Sequence, residues 1–249
     1  MLMHPVVISS VLLFVFAQDV RWFIPERSRH LYDSAVKEFR SGQQDKAFKL
    51  LDKIVVAEPN CIVLQHRAAE LYAQKGDFRS AISCADTVIK INANSREAFF
   101  IRGYSNYQLG NFAKAIDDFD VHIKSGIATS EVYALRAHCK RNLGDFRKSI
   151  DDYRTAYKAK KDPNYLYLVA ECMCEQSDYK SAKREFEMIA KSHPEFSRAY
   201  VGIGFTCLMS NDSANADAAF KVAIQKDPAL QKNVDDIKSW VRLNKAGDR

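Results

Sequence analysis

Glycine and proline are scarce in this chain, with nine and six respectively in 249 residues. That shortage argues against a fold made of many turns and for long regular elements. Reactive motifs are scarce too. Cys172 and Cys174 form a C-x-C, which is neither a redox C-x-x-C nor a zinc pair with a second half. The six cysteines fall mostly at inner helix positions, where Cys packs as a small apolar residue; in an oxidising compartment Cys139 and Cys172 would be the first pair to test. His4, His30, His66, His122, His138 and His193 contain no His-x-x-x-His spacing. Gly202-Ile203-Gly204 lacks a following glycine and falls inside a predicted helix, which excludes a dinucleotide loop. No nucleophile–base–acid set can be assembled. No catalytic residue, metal site, cofactor or small-molecule substrate is therefore expected.

A membrane-length apolar run is also missing. Val6 to Ala17 is a 12-residue apolar stretch, rising about 18 Å as a helix against a bilayer core of roughly 30 Å. Its length suits the core of a signal peptide with cleavage after Ala17, although Met1 to His4 offer no Lys or Arg. A retained anchor and an apolar helix packed on the folded body are the alternatives. The signal-peptide reading places the chain in the secretory pathway or ER lumen, with a cytoplasmic or membrane-anchored location as the other choice. Asn211-Asp212-Ser213 is the sole Asn-x-Ser/Thr triplet and a candidate glycosylation site at Asn211. Net charge is +6, spread along the chain. Lys158, Lys160 and Lys161 sit where a helix should end and complement its dipole. No basic face with interleaved aromatics exists, so no nucleic-acid partner is expected.

What the sequence does have is a period. Gly110-Asn111-Phe112-Ala113-Lys114-Ala115-Ile116-Asp117-Asp118-Phe119 returns as Gly144-Asp145-Phe146-Arg147-Lys148-Ser149-Ile150-Asp151-Asp152-Tyr153. Gly76-Asp77-Phe78 is a third version, and Gly42 marks a fourth. These glycines, at 42, 76, 110 and 144, are 34 residues apart each time, the signature of a repeat architecture. Within a unit, Arg96 to Leu109 and Phe112 to Lys124 read as two amphipathic helices, Gly110 closing the first and Asn111 or its equivalents capping the second.

The pattern resembles the tetratricopeptide repeat (TPR) family: small residues at unit position 8 (Ala35, Ala69, Gly103, Ala137, Ala170, Gly204) and position 20, and plugs at position 24. The resemblance implies an all-α, right-handed α-solenoid of about six helix-turn-helix units. The boundaries expected are 28–61, 62–95, 96–129, 130–162, 163–196 and 197–230, with a lead-in at 18–27 and a capping helix and tail at 231–249. Unit five departs with Ser177 in place of glycine, and unit six with Asn211. In the capping helix, Ile237 and Trp240 are expected to cover the open end of unit six. His193-Pro194-Glu195 is similar to the His-Pro-Asp of J-domains but spans a unit boundary, so its proline reads as structural.

The resemblance also implies a groove lined by the first helix of each unit, at positions 2, 5, 9, 12 and 13. Projected here, it includes Tyr32, Phe39, His66, Phe100, Tyr104, Tyr107, His138, Arg141, Tyr167 and Phe205, with Glu70, Glu171, Val201 and Leu208 beside them. The expected partner is a protein or peptide. The two-carboxylate clamp for the C-terminal tails of Hsp70 and Hsp90 needs Lys and Asn where this chain has Tyr32 and Val36, His66 and Glu70, Phe100 and Tyr104, or Ala134 and His138. That clamp is not expected. In layout the chain is similar to the ER-luminal TPR and J-domain co-chaperones without their J-domain, which implies client presentation. A scaffold for a multiprotein complex, soluble or membrane-tethered, and a regulatory subunit of an enzyme on another chain are the other readings.

Overall fold

The computed structural model describes residues 23–126 and 128–247, so the proposed signal segment and Ala17 lie outside the described residues. The chain divides into two compact units, residues 1–128 and 129–249. The first holds α1 (Glu26–Arg40), α2 (Gln44–Ala57), α3 (Ile62–Lys75), α4 (Phe78–Ile91), α5 (Arg96–Gln108) and α6 (Phe112–Lys124). The second holds α7 (Ser130–Asn142), α8 (Phe146–Ala159), α9 (Pro163–Glu175), α10 (Tyr179–Ser192), α11 (Ser197–Met209), α12 (Ser213–Lys226) and α13 (Gln231–Gly247). Among the described residues there is no strand, and no helix long and apolar enough to cross a membrane. Inside each unit every helix from α1 to α6 and from α7 to α12 packs on the next in sequence, the arrangement of an α-solenoid, and α13 packs on α11.

The repeat residues explain that packing. Position 20 brings Ala47, Ala81, Ala115, Ser149, Ala182 and Ala216 to the helix crossings, all sealed from solvent. Small side chains there let paired helices approach closely. Leu51, Ala85, Phe119, Tyr153, Phe186 and Phe220, at position 24, are buried, and each large plug contributes about 2–3 kcal/mol by leaving water. On α11, a Cβ on Gly204 would lie 2.5 Å from the Phe220 ring, and one on Gly202 would lie 2.6 Å from Phe186. The Gly-x-Gly pair is a seat for two phenyl rings.

The turns follow the same logic. Gly42, Gly76, Gly110 and Gly144 take φ of 80°, 84°, 76° and 79°, and Ser177 and Asn211 take the same left-handed role at 61°. Asp77, Asp145, Asp178 and Asp212 then accept a backbone N–H three residues on, at 3.1–3.3 Å. Asn111 departs from this expectation. Its side chain caps nothing, because its amide donates to Asn106 Oδ1 at 3.2 Å instead.

The capping helix meets the expectation at Ile237, while Trp240 stays half-exposed. Val234 and Val241 are the residues of α13 sealed in the core, with Ile237 partly buried beside them. Trp240 is 51% exposed. Its ring lies 6.3 Å from that of Phe205. Helical spacing explains this: residues 234 and 241 are two turns apart on one face, and 240 is rotated off it.

Candidate peptide-binding groove

In the first unit, α3 touches α5 directly as well as the helices before and after it, so the first helices of neighbouring repeats share a side. Along that side of α5, Phe100, Tyr104 and Tyr107 are all half-buried. Their spacing of three to four residues puts them on one helix face. Phe100 and Tyr104 are near-parallel, with centroids 6.4 Å apart and planes at 22°. Tyr107 follows at 6.3 Å, and Phe78 and Phe112 flank the row at 6.3 Å from Tyr104 and Tyr107. The row is rooted at one end: Phe100 also meets the buried Phe119 at 6.3 Å and His122 at 5.4 Å. His122 Nδ1 is in turn 3.0 Å from the Arg96 carbonyl oxygen. Gln108 Nε2 donates to the Tyr104 hydroxyl at 2.8 Å. The result is an aromatic ladder with rigid backing and partly open faces.

Next to it, His66 lines an open cavity of about 300 Å³ with Ile62, Val63, Arg67, Ser95 and Glu97. Its Nδ1 is 3.7 Å from Glu70 Oε1. Tyr32 does not belong to this surface. It is 4% exposed and belongs to the hydrophobic core of the first unit. Burial pushes its phenol up to about 12. Phe39 is half-buried against the same core.

The second unit brings a different set together. Arg141 of α7 donates from Nε to Glu175 at 2.9 and 3.1 Å and from Nη1 to Glu171 at 3.0 Å, so it is held by α9. His138, one turn before it, is half-buried with its Nδ1 2.9 Å from Asn142 Nδ2. Burial, with Arg141 nearby, keeps its pKa below the ordinary 6.5. Tyr167 is half-buried against Phe186 and Phe196, with the Arg198 guanidinium 4.4 Å over its ring. Phe205 sits edge-on to Tyr179 at 6.1 Å and beside Trp240. Val201 is 4% exposed and belongs to the core, while Leu208 is partly buried. Asn211 is exposed in the turn between α11 and α12. All six cysteines are free, and Cys139 and Cys172 are fully buried. The Ser149 hydroxyl lies 3.6 Å from the Cys172 sulfur.

Family models described as tetratricopeptide repeat match residues 66–128, 130–163 and 165–195. This chain is a tetratricopeptide repeat protein. No curated protein matches it in sequence. Among solved structures, a crystal structure of MamA superposes with a TM-score of 0.61 at 20% identity, over 69% of this chain and 94% of that one. YrrB, described as a TPR protein with an unusual peptide-binding site, gives 0.61 at 14% identity, over 76% and 97%. MamA 41-end from Desulfovibrio magneticus RS-1 gives 0.59 at 16%, over 68% and 96%. At these identities the likeness is one of fold.

Several residues of this TPR chain that shape the candidate groove escaped the projection from repeat positions. Phe78, Phe112 and His122 support the ladder from second helices, where the projection did not look. Glu175 and Arg198 did carry a signal. Each is a charge at a groove position one repeat beyond the residue it meets, Arg141 and Tyr167 respectively.

Proposed function

We propose that this protein is a non-enzymatic TPR binding protein that holds a peptide segment, or an exposed stretch of a partly folded client, against the first helices of its repeats. The observation that carries the reading is the Phe100–Tyr104–Tyr107 ladder. Aromatic side chains that are half-exposed, in contact with one another and rigidly backed are what binding hot spots are made of, and an extended ligand needs such a row more than a deep cavity. The peptide-binding site described for YrrB supports the same use of the fold.

The test is capture of crosslinked partners by the full chain and by a Tyr104→Ser/Tyr107→Ser variant, with helicity followed by circular dichroism. Phe100 is left intact because it also leans on Phe119. Capture should fall at least tenfold with helicity unchanged. Equal capture by a folded variant would overturn the reading. A secretory client-presenting role is supported by the Val6–Ala17 run and the exposed Asn211. Sequencing the mature N-terminus and probing Asn211 for glycan tests that location. An intact Met1 with unmodified Asn211 favours instead the scaffold reading, soluble or membrane-tethered.

A further inference from the structure

We propose that the segment held along α3 and α5 carries an arginine or lysine, and that Phe100 and Tyr104 receive its cation. The proposal rests on the groove reading above and names the chemistry of the occupant.

Rings elsewhere in the protein carry a cation from the chain itself. Lys75 Nζ stands 4.2 Å over Phe48, the Arg102 guanidinium is 5.3 Å from Phe99, and Arg198 is 4.4 Å over Tyr167. Phe99 and Phe100 are neighbours in sequence, yet among the described residues no cation stands over Phe100 or Tyr104. The repeat register sharpens the contrast. Phe100 and Tyr167 occupy the same unit position, 5. The arginine over Tyr167 comes from position 2 of the following repeat. The chain thus supplies a cation to the position-5 ring of one repeat, and among the described residues none to that of the other.

The charge of the face agrees. The groove positions of units two and three include Glu70 and Glu97 and no lysine or arginine, in a chain of formal charge +6. Both carboxylates are paired within the chain, Glu70 with Arg67 at 2.8 Å and Glu97 with Arg96 at 2.5 Å, with His66 near Glu70. An incoming cation therefore meets two stacked ring faces and no unbalanced positive charge. Aromatic faces are the negative ends of the ring quadrupole, and a cation within about 6 Å of one is attracted. Guanidinium suits the site best, since it is flat, weakly hydrated and able to lie along Phe100 and Tyr104 together.

The experiment uses the full chain and four capped, fluorescently labelled peptides of sequence Ser-Leu-X-Leu-Ser, where X is arginine, citrulline, norleucine or glutamate. Citrulline keeps the shape of arginine and removes its charge. The arginine peptide should bind roughly fivefold to thirtyfold tighter than the citrulline peptide. Tyr104→Leu, checked for helicity, should abolish that preference, whereas Glu97→Gln should preserve most of it. If citrulline, norleucine or glutamate binds as tightly as arginine, the cation inference fails while the groove reading stands. A preference lost with Glu97→Gln and kept by Tyr104→Leu would also overturn it. If no peptide binds at any concentration up to the millimolar range, the inference falls together with the groove reading.

Discussion

Arg141 and Glu175 are joined by parallel hydrogen bonds, with Nε donating at 2.9 and 3.1 Å and Nη2 to the same carboxylate. Two groove positions of successive repeats are thereby fixed to each other, and Glu171 takes the remaining edge of the guanidinium at 3.0 Å. Removing the arginine leaves Glu171 and Glu175 one helical turn apart with nothing between them. Arg141→Met is expected to lower stability by about 1–2 kcal/mol, and Glu175→Gln by about 0.5 kcal/mol. In a double-mutant cycle followed by urea unfolding, the pair should couple by about 1 kcal/mol, shrinking in high salt because Glu175 is 40% exposed. A coupling near zero would make the pair ornamental.

Gly204 is expected to tolerate no side chain. Its Cβ would sit 2.5 Å from the Phe220 ring, whose burial leaves it nowhere to retreat. Gly204→Ala should cost about 1–3 kcal/mol. Adding Phe220→Leu should recover part of that loss, although the second change is destabilising alone. Thermal melts of the two single variants and the double variant measure the sign of the coupling directly.

The turns predict opposite outcomes from one chemical change. Ser177 occupies, at φ 61°, the left-handed position that glycine fills in the four earlier turns. Ser177→Gly should therefore stabilise the protein by about 0.5–1 kcal/mol, and Gly110→Ala should destabilise it by about 1 kcal/mol. Chemical denaturation midpoints check both. Equal and opposite shifts of the reverse sign would mean that the turn geometry is not the controlling term.

Acid should loosen the start of the first unit. Glu58 is held to about 2, from an ordinary 4.5, first by its hydrogen bonds from Arg27 and then by Ser28. Arg27 Nε and Nη2 donate at 2.7 and 2.8 Å, and Ser28 Oγ at 2.6 Å. A carboxylate depressed on folding contributes its full stabilisation above the unfolded pKa and loses it as pH falls through the folded one. The loss should run from about pH 4.5 down to about pH 2. Glu58→Gln should flatten the pH dependence of the melting temperature in that window and leave the slope above about pH 5 unchanged.

The repeat was legible because it rests on residues with few substitutes. Left-handed turns want glycine, helix crossings want alanine, and the space between units wants a large plug. Those demands recur every 34 residues and survive one by one in Gly110, Ala115 and Phe119. The groove was less legible because helix-face spacing does not distinguish a half-open face from a covered one. Phe100 and Tyr32 share a unit position, yet one is half-buried on the ladder and the other is sealed in the core. The part-buried pairs Arg102–Asp118 and Arg136–Asp152, each joined at 2.6 Å, were missed for a related reason. Each joins the first helix of a repeat to the second, and an isolated Arg or Asp on an amphipathic helix reads as solvent-facing. Burying such a pair gains little net stability, but breaking it is expensive, so it fixes how the two helices meet.

The packing of α13 through Val234 and Val241 decides how this protein can grow. A stack of helical repeats presents, at its last unit, the same apolar face that another repeat would need. Here α13 already covers part of that face by packing on α11. A second copy offering its own first helix would have to displace α13 before it could join at this end, so end-to-end polymerisation there is opposed by a contact inside the chain.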